Sequence, residues 1–132
     1  MRLRAAVAAA ALLALTVAVP AAAAESDAPV PDRGLLLTVS GSEDTWIRGV
    51  ALFCPPAPDA HHPHAADACA AIDRAEGDLD ALPGSPRLCI VEGYDPVTAT
   101  ATGTWDGRPV SWQRTFPDAC VMDAVTGPVF RF

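Results

Sequence analysis

The chain has 132 residues, 51% of them hydrophobic, and its sixteen acids against nine basic residues set a formal charge of −7. All nine basic residues are arginine. Such a surface repels phosphate backbones and anionic lipid, so nucleic acid and membrane surfaces are excluded as expected partners, and the length suits one domain with a modest core.

Residues 1–24 are expected to be a targeting segment. Arg2 and Arg4 give a positive start, Ala5 to Val19 an apolar run of 15 residues, and Ala22-Ala23-Ala24 the small-x-small pattern that signal peptidase requires. The run is too short for a comfortable membrane span, which needs about 20 residues. Removal of this segment leaves seven arginines against sixteen acids, a net charge of −9. Secretion puts Cys54, Cys69, Cys89 and Cys120 where disulfides persist. Three connectivities are open to four cysteines; the favoured one closes two separate loops, Cys54–Cys69 and Cys89–Cys120. Each bond is expected to contribute roughly 3–4 kcal/mol, mainly by restricting the unfolded chain.

Glu25 to Arg33 holds two prolines and three acids and little apolar surface. Residues 25–34 therefore read as a flexible arm and 35–132 as the folded domain. Leu35-Leu36-Leu37-Thr38-Val39 suits a buried strand, and Trp46 to Cys54 its antiparallel partner, with the turn over Gly41 to Asp44. Pro55-Pro56-Ala57-Pro58 cannot be regular structure, because each proline removes a donor and fixes φ. Ala65, Ala68, Cys69 and Ile72 then follow helical spacing, with Pro63 near the start and Gly77 past the end. Asp78 to Leu82 is expected to add a short helical turn.

Period-two alternation returns from Val97 to Trp105, where Thr98, Thr100, Thr102 and Thr104 alternate with smaller or apolar residues. Asp106-Gly107 is a two-residue hairpin signal, and Val110, Trp112, Arg114 and Phe116 mark one side of the returning strand. Val129 to Phe132 is expected to close the sheet. The expected fold is α+β: a five-stranded antiparallel sheet with one main and one short helix on one face, and two disulfides.

Catalytic chemistry finds little support. His61, His62 and His64 cluster in one proline-flanked loop without a clear fourth ligand, so they read as a solvated loop rather than a metal site. Ser26, Ser40, Ser42, Ser85 and Ser111 lie outside any G-x-S-x-G elbow. Asp78 and Asp80 are ordinary acids on an acidic surface. Neither an enzyme nor a cofactor is expected. The segment Cys89 to Pro96 reads either as a plain surface loop or as a loop offered to a protease, preorganised by its cysteine so that little entropy is lost on binding.

The ordered set of marks resembles the Streptomyces subtilisin inhibitor-like family of secreted serine protease inhibitors. The marks are Leu36-Leu37-Thr38-Val39, Cys54 to Cys69 enclosing His62-Pro63, and Gly77-Asp78-Leu79 with Ala81-Leu82. Cys89 with Tyr94-Asp95-Pro96-Val97, Trp105 with Gly107, Val110-Ser111, Arg114 with Phe116, Cys120, and Val129-Phe130 with Phe132 complete the set. Each is weak alone; together they span Leu35 to Phe132.

The resemblance implies the same sequential disulfide pairing, a homodimer formed through sheet surfaces, and an extracellular inhibitor of serine endopeptidases, subtilisin-like ones above all. It also implies a reactive bond just after Cys89, supported by Ile90, Tyr94, Asp95 and Pro96. The family pattern runs Cys, P2, P1, P1′, Tyr, whereas Ile90-Val91-Glu92-Gly93 places one residue more between Cys89 and Tyr94. Counting from Cys89 puts the reactive bond at Val91–Glu92; counting back from Tyr94 puts it at Glu92–Gly93. The first is preferred, because the disulfide fixes the approach. The alternative from another class is a secreted binding module of the same fold with a non-inhibitory or metal-binding role.

Overall fold

Alternation along the strands sorts side chains onto two faces of one sheet. The computed structural model describes residues 31–90 and 93–132. Strand β1 (Arg33–Gly41) buries Leu35, Leu37 and Val39 and turns Leu36 outward. It pairs antiparallel with β2 (Ile47–Phe53) on one side and β3 (Val97–Trp105) on the other, and β3 returns as β4 (Arg108–Phe116). The spatial order is β2-β1-β3-β4. Asp106 and Gly107 take the positive φ angles (50° and 73°) that a tight hairpin between twisted strands requires. The first hairpin crosses through a 3-10 turn, Ser42–Asp44, as the sequence suggested.

The sheet begins earlier than the arm boundary implied. Arg33 and Gly34 already pair with Trp105 and Thr104 of β3. Arg33 is held there by Asp73 (2.8 Å) and Asp106 (2.6 Å), with its guanidinium 4.9 Å from the centre of the Trp105 ring.

Helix α1 (Ala65–Arg74) covers the inner face with Ala65, Ala68, Cys69, Ala71 and Ile72, the stripe read from their spacing. Its small residues share one core with Ala99 and Ala101 of β3, both fully buried, and the helix packs mainly against the Gly127–Phe130 segment and β2. Glu76 (φ 54°) takes the left-handed position at the helix end, with the Glu76 and Gly77 amides donating to the Asp73 and Ile72 carbonyls. Gly77 follows at φ 82°, and it also meets a packing need: a Cβ there would lie 2.6 Å from Trp105. The expected short turn is the 3-10 segment Leu79–Ala81, capped by Asp78, whose carboxylate accepts from the Asp80 amide at 2.9 Å.

The fold is α+β, but the chain end departs from the five-strand expectation: the described residues form four strands. A second helix, α2 (Ala119–Thr126), precedes a 3-10 turn over Gly127–Phe130. Gly127 leaves the helix at φ 60°, and Pro128 has no N–H to give a sheet ladder. The apolar residues predicted for a strand still reach the core: Val129 and Phe130 are buried, and Phe130 stacks on Trp112 at 5.6 Å.

His62 also differs from the solvated-loop expectation, being only 3% exposed. Its Nδ1 accepts the His64 amide at 3.0 Å, which leaves the proton on Nε2 to donate to the Val129 carbonyl at 2.8 Å. Histidine thus ties the proline-rich loop to the chain end. His61 and His64 are exposed. Both favoured disulfides form: Cys54–Cys69 joins the end of β2 to α1, and Cys89–Cys120 joins the segment before β3 to α2.

Candidate functional site

Three contacts lay residues 84–89 along α2. The Ser85 amide donates to the Ala124 carbonyl at 2.9 Å, Arg87 donates to the Asp123 carboxylate, and Cys89 is bonded to Cys120. The partners step back along the helix from residue 124 through 123 to 120 as the segment advances. Gly84 is what allows the close start: a Cβ there would lie 2.3 Å from the Ala124 oxygen. The helix is itself anchored, since the Asp118 carboxylate caps it by accepting the Val121 amide at 2.8 Å.

The braced segment does not hide its side chains. Leu88 is 88% exposed, Ile90 80% and Tyr94 81%, although all three are large and apolar or aromatic. Burial of a side chain of that size is worth roughly 1.5–3 kcal/mol. Three of them held in water on either side of one short stretch therefore form a surface suited to contact. Asp95 is exposed beside them, Pro96 is half-buried, and Val97 enters the core as β3 begins. Gly93 sits at φ 104°, a backbone state that favours glycine, with open space where a Cβ would be. Val91 and Glu92, the residues named for the reactive bond, lie outside the described residues, so the choice between the two bonds rests on sequence.

A metal-type grouping among the described residues, Cys89, Asp118 and Cys120, uses sulfurs already joined to each other. A bonded disulfide offers no thiolate ligand. Of the residues named from sequence, Cys89 is bonded to α2, Ile90, Tyr94 and Asp95 are exposed and Pro96 is half-buried; the anchoring itself adds Ser85, Arg87, Asp118 and Asp123. Asp118 was detectable as an N-cap before the apolar Val121-Met122 pair. The Arg87–Asp123 contact spans 36 residues and has no sequence signal.

A short segment anchored to a helix by a disulfide and presenting apolar side chains outward is a geometry suited to binding through a loop. Comparison with known proteins makes this specific. A family model described as subtilisin inhibitor-like matches residues 32–118. A subtilase-type protease inhibitor of Streptomyces fradiae is 43% identical over 104 residues, 74% of this chain and 72% of the relative. Subtilisin inhibitor-like protein 5 of the same organism is 38% identical, covering 76% of this chain and 97% of the relative. Among solved structures, sermetstatin of Streptomyces caespitosus, in complex with Bacillus licheniformis subtilisin, superposes with a TM-score of 0.59. That protein is 32% identical, and the match covers 75% of this chain and 99% of it. The chain belongs to the subtilisin inhibitor-like family.

Proposed function

We propose that this chain is a secreted, substrate-like inhibitor of subtilisin-like serine endopeptidases, binding through the segment after Cys89. The observation that carries the reading is the combination of three-point anchoring on α2 with Leu88, Ile90 and Tyr94 left exposed. A protease reads an extended segment side chain by side chain. Order already present in the free inhibitor lowers the entropy lost on binding. With the reactive bond at Val91–Glu92, Val91 is P1, Ile90 P2, Cys89 P3 and Leu88 P4. The alternative bond, Glu92–Gly93, makes Glu92 the P1 residue and suits a glutamate-specific protease. In either register the Cys89–Cys120 bond holds the cleaved end in place, so religation competes with hydrolysis.

Residues 1–24 are the export signal in this reading, and the exported chain works outside the cell, where both disulfides endure. The outer sheet face is the homodimer surface: Leu36, Ile47 and Phe53 are 52%, 66% and 50% exposed there. The test is a panel of subtilisin, an elastase-like protease and a glutamate-specific protease, with mass spectrometry of each mixture. Inhibition of subtilisin with slow cleavage at Val91–Glu92 supports the reading; cleavage at Glu92–Gly93 with inhibition of the glutamate-specific enzyme selects the other register. Zinc binding without effect on any protease would replace the inhibitory reading with a binding module.

A further inference from the structure

We infer that Asp123 is a positioning residue for inhibition, aiming the segment before the reactive bond through Arg87 while Arg131 holds the carboxylate still. The inference rests on the inhibitory reading above and extends it to a residue far from the reactive bond in sequence.

Asp123 lies on α2 with a side chain only 15% exposed, and its two oxygens face opposite partners. Oδ2 accepts from Arg87 Nη1, and Oδ1 accepts from Arg131 Nε at 2.7 Å. Arg87 precedes Cys89 by two residues, and Asp123 follows Cys120 by three. The salt bridge and the disulfide are therefore successive links between the same segment and the same side of the same helix. A disulfide alone fixes where the segment is tethered but leaves rotation about its own bonds. A second link fixes the direction in which the chain leaves the helix, and direction is what a protease cleft selects.

Arg131 supplies the constraint on the carboxylate. It follows Val129 and Phe130, which are buried against the sheet, so its own backbone is well anchored. With one oxygen held by that anchored arginine, the other remains aimed at Arg87. Charge-assisted pairs of this kind are stronger and more directional than neutral hydrogen bonds. Arg87 and Arg131 are 52% and 42% exposed, so the contribution to overall stability is small. The brace matters for orientation, which stability measurements do not report.

The experiment uses the full mature chain and subtilisin, comparing Arg87→Gln, Asp123→Asn, Arg131→Gln and the Arg87→Gln/Asp123→Asn double variant. Three quantities are measured: the inhibition constant, the ratio of cleaved to intact inhibitor at equilibrium, and Tm. Arg87→Gln and Asp123→Asn should each weaken inhibition about tenfold and raise the cleaved fraction by a similar factor. Arg131→Gln should have a smaller effect in the same direction. The double variant should be no worse than either single one, because both break one link. Arg87→Gln removes an exposed partner and should leave Tm essentially unchanged, so it remains informative if Asp123→Asn folds poorly.

Variants that inhibit and are cleaved like the unsubstituted chain would overturn the inference, as would losses that multiply in the double variant. Failure of the unsubstituted chain to inhibit subtilisin would instead remove the inhibitory reading, and this inference with it.

Discussion

At the scale of single residues, the consequences are sharpest around the proposed reactive bond and at His62. With Val91 as P1, its β-branched side chain fills a deep apolar pocket incompletely. Val91→Leu adds about one buried methylene, worth ~0.8 kcal/mol, so binding to subtilisin should tighten roughly fourfold. Glu92→Gln should leave subtilisin inhibition nearly unchanged; inhibition constants for both variants decide between the two registers. His62 behaves differently, because its environment resists charge. Burial pushes its pKa below the ordinary 6.5, the nearby His64 acts in the same direction, and the Val129 carbonyl opposes both. A protonated ring would also lose the Nδ1 lone pair that accepts the His64 amide. The folded state therefore binds this proton less readily than the unfolded chain does. The stability His62 contributes is complete above pH 6.5 and falls as the pH drops below it, levelling off once the folded state also protonates. His62→Ala should cost about 2–3 kcal/mol by leaving the Val129 carbonyl unpaired, and should flatten that part of the pH–stability curve in denaturant titrations.

At the scale of elements, α2 and the Cys89–Cys120 bond act as one support. The bond spans 31 residues and contributes about 4 kcal/mol by the chain-entropy estimate. Replacing both cysteines with serine should lower stability by about that amount and release the segment from its helix. Digestion followed by mass spectrometry should then show rapid cutting near Val91 by subtilisin with little inhibition. All four strands and the helix α1 were legible in the sequence: β1 as a bounded apolar run, β2 as its apolar-rich partner, β3 and β4 by alternation, and α1 by helical spacing. Ala65, Ala68, Cys69 and Ile72 predicted the buried stripe of α1 directly. Helix α2 went unread because its eight residues carry too short an apolar stripe to show helical spacing, and the apolar Val129-Phe130 beyond it read as a strand, although both are buried core residues of a 3-10 turn. The decision between strand and turn lay with Gly127 and Pro128, which stop α2 and deny the ladder a donor. Cys89 to Pro96 could be found from the cysteine and the Tyr94-Asp95-Pro96 run. Its second brace could not, because a contact between Arg87 and Asp123 depends on where α2 packs. The burial of His62 was hidden for the same reason: its partner is a backbone carbonyl 67 residues away.

At the scale of the whole molecule, the two faces of the sheet divide the work. The inner face carries the core and, through α2, supports the segment before the proposed reactive bond. The outer face pairs polar threonines, with Thr98 and Thr115 hydroxyls 2.8 Å apart, and exposes Leu36 on the central strand β1. If that face joins two copies, Leu36→Asp should shift the protein to monomers by burying charge against an apolar partner. Sedimentation should register the change while inhibition per chain persists, because the inhibitory segment depends on the other side of the sheet. The most direct measurement is active-site titration of subtilisin with the purified mature chain. Residual activity should fall linearly to zero at one inhibitor chain per protease molecule, with the chain recovered largely intact. Activity that persists at excess chain, with the protein digested, would contradict the inhibitory function.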